Sequence, residues 1–210
     1  MKAVINILLT AVIVVLAYLL YESIMEPIRF NNERDIREEA VKERLVDIRN
    51  AQVLFRQKYG RYTGSFDTLI NFIKFDSIPV VFRQGQLTDE MVAKGMTERE
   101  ALRQKLIVRD TSFVEIGDSI FSINYPIDSI RFVPFTNGAQ FELAAASVET
   151  GSRVVVQVFE ASVLNNVFLQ GLDKQLIINY NELRREITGF PGMRVGNIKE
   201  PNNNAGNWEN

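Results

Sequence analysis

The sequence has no cysteine and no histidine in 210 residues. The first absence excludes disulfides, thiol catalysis, iron–sulfur ligation and lipidation on cysteine, and it leaves the compartment unreadable from redox chemistry. The second excludes Ser-His and Cys-His nucleophile pairs and removes the commonest ligand for zinc or haem. Neither sign of charge is in excess: 24 Lys and Arg face 26 Asp and Glu, a net charge of -2. Binding nucleic acid through its phosphates needs clustered, uncompensated bases, so no nucleic-acid partner is expected. Also missing are the G-x-x-x-x-G-K-S/T and G-x-G-x-x-G phosphate cradles and the carboxylate ladder of an EF-hand. The acids are scattered among bases, and no two stand out as a general acid/base couple. No catalytic residue, no cofactor and no metal site is therefore expected.

What the sequence does have is a long apolar run, Ala3–Tyr21, with no charge between Lys2 and Glu22. About 20 such residues, at ~1.5 Å each along a helix, match a hydrocarbon core of ~30 Å. Tyr18 and Tyr21 fall at one end of the run, where amphipathic rings suit a membrane interface. Asn6 and Thr10 are its only markedly polar side chains, and Asn6 is a candidate partner contact. A cleaved signal peptide has a shorter apolar region, ~7–15 residues, and a small-x-small site. The following YESIMEPIRF offers no such site, so residues 1–26 read as a retained anchor in contact with the lipid bilayer. Arg29, Arg34, Arg37 and Lys42 follow the span but are interleaved with acids, while Lys2 precedes it. The expected orientation has the N-terminus in the cytoplasm and the large domain outside, on a single pass through the inner membrane.

Past the anchor, Pro27 cannot donate its backbone N–H, so the first helix is expected to kink or end near Met25. Asn31 or Asn32 then caps a second helix, and residues 27–40 read as a kinked, solvated stalk. From Val41 the apolar positions Leu45, Ile48, Phe55 and Tyr59, with Gln52 filling one step, repeat at helical spacing, and Gly60 stops the helix. That stripe reads either as a helix laid on the domain's own sheet or as a coiled-coil seam. Ser65 is placed to cap a short helix with Leu69, Ile70 and Ile73 on one face. Ile78–Arg83 reads as a strand, and about 84–105 as an inserted helical arm whose Thr97 and Glu100 form a capping box.

The texture then turns to β, with candidate strands Leu106–Asp110, Phe113–Ile116, Ser129–Pro134, Ala139–Val148, Arg153–Ala161 and Gln175–Asn179, and a closing helix Tyr180–Ile187. Alternation on both sides of the turn at 149–152 marks an antiparallel hairpin with one buried face. Residues 189–210 are rich in Gly, Pro and Asn and lack periodicity. They read either as a disordered terminus or as a tail lying along the domain or a partner, with Phe190 and the sole tryptophan, Trp208, as candidate partner-binding residues.

One enzyme class needs no histidine, the membrane-anchored Ser-Lys peptidases. Ser23 stands in E-S-I-M rather than their S-x-S-M setting, and Lys174 precedes a candidate strand instead of lying in one. Over 41–69 the chain resembles type IV pilins and the pseudopilins of type II secretion. Leu45, Ile48, Ala51, Phe55, Tyr59, Gly60 and Tyr62 occupy places comparable to their A-x-x-x-L-x-x-I-x-x-A-x-x-x-Y and G-x-Y-P pattern, and Pro27 stands where a proline bends their spine. The G-F-T-L-x-E prepilin cleavage motif and a glutamate near Ile5 are absent. The expected fold class is α+β: an N-terminal transmembrane helix continues into an amphipathic helix packed on an antiparallel β-sheet, with a domain over 41–188. The resemblance implies a non-enzymatic structural or assembly subunit of a secretion or pilus-like envelope complex, with other envelope proteins or further copies of the chain as partners. A membrane-tethered peptide- or solute-binding module is the alternative.

Overall fold

The computed structural model describes residues 2–84, 95–104, 106, 108–122 and 125–209. Its first element, α1 (Lys2–Tyr59), is a single helix of 58 residues that runs through Pro27 without a break. The expected end near Met25 does not occur. Proline at this position costs one backbone hydrogen bond, to the Ser23 carbonyl, and helices in and near membranes absorb that loss. Asn31 accordingly caps nothing: its Oδ1 accepts from Arg34 Nη1 at 2.9 Å, inside the helix. The start of α1 is long and apolar enough to cross a membrane, and none of its most apolar stretch is buried. Farther on, Val41, Leu45, Ile48, Ala51, Gln52 and Phe55 are buried, whereas Tyr59 is half exposed.

The chain forms two compact units, one made of Met1–Arg49 with Ile130–Asn210 and the other of Asn50–Ser129. In the second unit, α1 ends where Gly60 N–H returns to the Arg56 carbonyl at 2.8 Å. Gln52 is fully buried, and its amide is satisfied by both backbone groups of Thr63: Nε2 donates to the carbonyl at 2.6 Å and Oε1 accepts from N–H at 3.1 Å. Helix α2 (Phe66–Phe75) has the expected Ser65 cap and buries Leu69, Ile70, Phe72 and Ile73. Strand β1 (Ser77–Gln84) covers the strand expected at Ile78–Arg83. Of the inserted arm, 85–94 lie outside the described residues. Helix α3 (Glu98–Arg103) follows the Thr97–Glu100 box, in which Thr97 N–H donates to Glu100 Oε2 at 3.0 Å. The two strands expected on either side of residue 111 are one, β2 (Val108–Glu115), paired antiparallel with β1 from Ser77↔Glu115 to Gln84↔Val108. Only Thr111 and Ser112 lie between them, with no Gly or Pro to turn the chain, so a continuous partner keeps both in register. A short helix, α4 (Ile116–Ile120), follows with Ile116 buried.

The first unit contains a three-stranded antiparallel sheet in the order β3–β4–β5: β3 (Glu142–Glu149), β4 (Val155–Leu164) and β5 (Gly192–Gly196). The hairpin β3–β4 turns where expected, but its burial is not one-sided. As the central strand, β4 buries consecutive residues, Val158 with Phe159 and Ala161 through Val163. Three sequence expectations are corrected here. Ser129–Pro134 is not a strand: a 3-10 turn (Ile127–Arg131) runs into one bridge, Phe132↔Gln140, with Ile130 and Val133 buried at turn spacing. Gln175–Asn179 is helical, the opening of α6 (Lys174–Thr188), which Asp173 caps through Leu176 N–H at 2.8 Å. A one-turn helix, α5 (Asn165–Phe168), precedes it. Finally, the tail supplies β5, whose Met193 and Val195 are buried.

The glycines of β5 are a packing requirement. A Cβ on Gly192 would stand 2.2 Å from the Val163 carbonyl oxygen, and one on Gly196, where φ is +73°, 2.1 Å from that of Phe159. Only a residue without a side chain lets the strand approach β4 this closely. Gly196→Ala is expected to destabilise the chain by roughly 1–3 kcal/mol, the range for forced overpacking. Gly151→Ala, in open space at the hairpin turn, is expected to stay within about 0.5 kcal/mol of the parent. Denaturant unfolding of the two variants side by side checks this.

Candidate functional site

Immediately beyond its apolar span, α1 enters a polar collar within the first unit. Phe30, Arg34, Arg37 and Val41 recur at steps of four, three and four, so the stripe that carries Leu45 and Ile48 extends back toward the span with arginines on it. Most of 27–40, the expected stalk, is exposed or partly exposed, but one face of it packs: Phe30 is buried and the Arg37 side chain is only 15% exposed. Arg37 Nη1 donates to the Phe168 and Gln170 carbonyls, each at 3.0 Å, and Nε to Glu33 Oε1 at 3.0 Å. Its guanidinium also lies 5.7 Å from the Phe135 ring. The Arg34 guanidinium sits 4.8 Å over the Tyr180 ring, and Tyr180 Oη donates to Glu38 Oε1. Burial, and then the Glu38 carboxylate, push the Tyr180 phenol well above its ordinary value, so it remains a donor at physiological pH.

Beside the collar lies a groove of about 580 Å³, lined among others by Glu22, Glu26, Arg29, Phe30, Leu172 and Asp173. Arg29 pairs with Glu22, which leaves the lining net acidic and unsuited to anionic headgroups or phosphates. Among the described residues no three carboxylates converge to hold a metal ion.

Helix α6 is held to α5, just past β4, by amides. Asn165 Nδ2 donates to Asn181 Oδ1 at 2.9 Å, and Asn181 Nδ2 donates to Asn166 Oδ1 at 2.7 Å.

The candidate residues named from sequence fall in two places. Asn6 is exposed on the bare span, and its carbonyl accepts from Thr10 Oγ1 at 2.9 Å. Phe190 and Trp208 lie in the segments that flank β5. Phe190 is half-buried beneath Arg194, whose guanidinium is 5.3 Å from the ring. Trp208 folds over Gly206, its ring 2.5 Å from where a Cβ would stand. The segment that carries it is stitched to β5 by the buried Asn207. That residue accepts from Arg194 N–H at 3.1 Å, donates its own N–H to the Arg194 carbonyl at 3.0 Å, and donates Nδ2 to Gly192 O at 3.0 Å. Arg49 Nη1 then holds Glu209 Oε1 at 2.7 Å, tying the tail to α1. The reading of 189–210 as disordered is thus corrected in favour of a tail that lies along the domain. Sequence reasoning missed Arg37, Tyr180 and Asn207. The signal for the first was an arginine at a stripe position; for the others there was none.

Comparisons of the chain with protein-family models, curated proteins and solved structures return no match, so the site is read from its own chemistry.

Arg37→Ala is expected to cost about 1.5–3 kcal/mol, the range for hydrogen bonds to a charged group. Arg37→Lys should recover only part of it, because one ammonium cannot meet both carbonyls, as Nη1 does, and Glu33 Oε1, as Nε does, at the same time. Unfolding of full-length protein in detergent measures both. The Arg49 contact holds the Glu209 carboxyl below its ordinary value of 4.5. Its stabilisation of the tail is therefore complete above about pH 4.5 and lost as pH falls through the lowered folded value. Fluorescence from the sole tryptophan, Trp208, should report a transition with its midpoint below pH 4.5, and Glu209→Gln should abolish it.

Proposed function

We propose that this protein is a non-enzymatic, single-pass membrane protein that serves as a structural or assembly subunit of a cell-envelope complex. In this reading the N-terminus faces the cytoplasm, the folded part lies outside the inner membrane, and the partners are other envelope proteins or further copies of the chain. The observation that carries it is the continuity of α1. One backbone hydrogen-bond ladder runs from the bare apolar span, through the arginine collar, into the buried positions Leu45 and Ile48. At ~1.5 Å per residue that element is about 85 Å long, far more than the ~30 Å a bilayer core requires. An anchor that shares one element with the core holds its domain at a defined position, which suits assembly. The pilin-like motif over 41–69 points the same way.

A membrane-tethered module that binds a peptide or solute is the second reading, favoured by the groove beside the collar. Its volume suits a small ligand.

Fractionation and cross-linking of intact membranes test both. The chain should stay in the membrane pellet through alkaline extraction, and deletion of residues 3–21 should release it. A reporter fused after Asn210 should be active outside the cytoplasm. Cross-linking should give ladders with envelope proteins or further copies. A cross-link-free monomer retaining a small ligand would favour the binding module, and recovery of the intact chain in the soluble fraction would overturn both.

A further inference from the structure

The two edges of the three-stranded sheet are treated differently. A strand edge presents unpaired N–H and C=O groups, and folded proteins blunt it with Lys, Pro, a bulge or a covering segment. The β5 edge is covered by the chain's own tail: Gly196 N–H donates to the Ala205 carbonyl at 3.1 Å and Asn207 N–H to the Arg194 carbonyl at 3.0 Å. At the other edge, β3 pairs only with β4 among the described residues. Its sequence, ELAAASVE, has neither Lys nor Pro. Its register is one-for-one from Glu142↔Ser162 to Glu149↔Val155, so there is no bulge. None of its side chains is buried, and Ala145 and Ser147 are exposed. Among the described residues, then, no bulge, Lys, Pro or covering strand blunts the edge from Glu142 to Glu149.

Charge identifies the occupant. Glu142 and Glu149 bracket the strand. A segment with Lys or Arg at both ends would set a base against each acid, whereas a second copy of β3 carries no base to offer either one. Opposite charges directly across a strand pair are stabilising. Ala144, Ala145 and Ala146 leave room beside them for β-branched or aromatic neighbours.

We propose that β3 docks, by strand addition, an extended segment of a different protein, with Lys or Arg at both ends of a short β-branched stretch. This gives the proposed assembly subunit its contact surface, and it rests on that reading only for the partner's being a protein.

The test uses full-length protein in detergent and two fluorescent, end-blocked peptides, Lys-Val-Thr-Val-Thr-Val-Thr-Lys and the same peptide with Glu at both ends. Anisotropy should show the Lys-ended peptide binding about tenfold more tightly, as expected from two attractive against two repulsive cross-strand pairs. The double variant Glu142→Lys/Glu149→Lys should invert that preference. Ala145→Lys should weaken the Lys-ended peptide at least about tenfold with far-UV circular dichroism unchanged. A 13C-labelled peptide should give an isotope-shifted β band on binding. Equal affinity for the two peptides, or absence of that band, would overturn the proposal. So would a dimer that dissolves on Ala145→Lys, which would assign the edge to a second copy. Fractionation of the same preparation separates the outcomes. Failed binding by a membrane-retained chain removes the docking site alone, and release from the membrane removes the tether alone.

Discussion

The fold depends on the ladder of backbone hydrogen bonds that runs along α1. Hydrocarbon offers no partners for peptide groups, so a segment that crosses it must satisfy its own. A helix meets that demand and can leave lipid without changing its backbone. What changes along α1 is the chemistry of its side chains: apolar all round at first, then arginines on one stripe, then apolar residues on the same stripe against the core. Pro27 interrupts the ladder by one bond, and the helix continues past it.

In the first unit, β4 is the element against which the rest assembles. Its consecutive buried residues require cover on both faces, and the strand beside it arrives from the end of the chain. That strand can approach only because Gly192 and Gly196 present no side chain to the Val163 and Phe159 carbonyls. Once β5 is seated, its free edge needs a partner. The Asn207 side chain and the Ala205 carbonyl supply one, and Arg49 fixes the end of the tail. Apolar burial, glycine and the tail's hydrogen bonds are thus steps of one construction, in which each removes a liability that the previous one created.

Features set by neighbours in sequence were legible. Gly60 as a stop, Ser65 as a cap, the Thr97–Glu100 box and the turn after Glu149 each depend on residues no more than a few positions apart. Features set by distant neighbours were not. Gln-Leu-Ile-Ile-Asn at 175–179 has the composition of a strand, and Asp173 is only one weak argument against it. Its helix is held by Asn181 meeting Asn165 at the start of α5. β5 was hidden because glycine reads as loop when the reason for it is a carbonyl about 30 residues away. The collar was hidden because arginine reads as solvated unless its stem is seen to lie on the apolar stripe and its head to reach carbonyls. The same limit holds for the candidate residues. Phe190 and Trp208 could be named from their type, but not the bonds that stitch the segment carrying Trp208 to β5.

The collar also answers why arginine, not leucine, stands at 34 and 37. An apolar stripe continued unbroken from the span would let the helix trade membrane depth against core contact, since hydrophobic mismatch costs only fractions of a kcal/mol per ångström. Directional bonds remove that freedom. Sliding α1 by one turn would carry Arg37 about 5.4 Å from the Phe168 and Gln170 carbonyls, beyond any hydrogen bond. On the other side, Glu22 and Glu26 follow the span at once, and carboxylates resist entry into hydrocarbon. In a bilayer, solvation would then set how deep the helix sits while the arginine fork sets where the domain rides on it. There, two independent terms would fix the distance between lipid and the sheet of the first unit, which suits the assembly role proposed above.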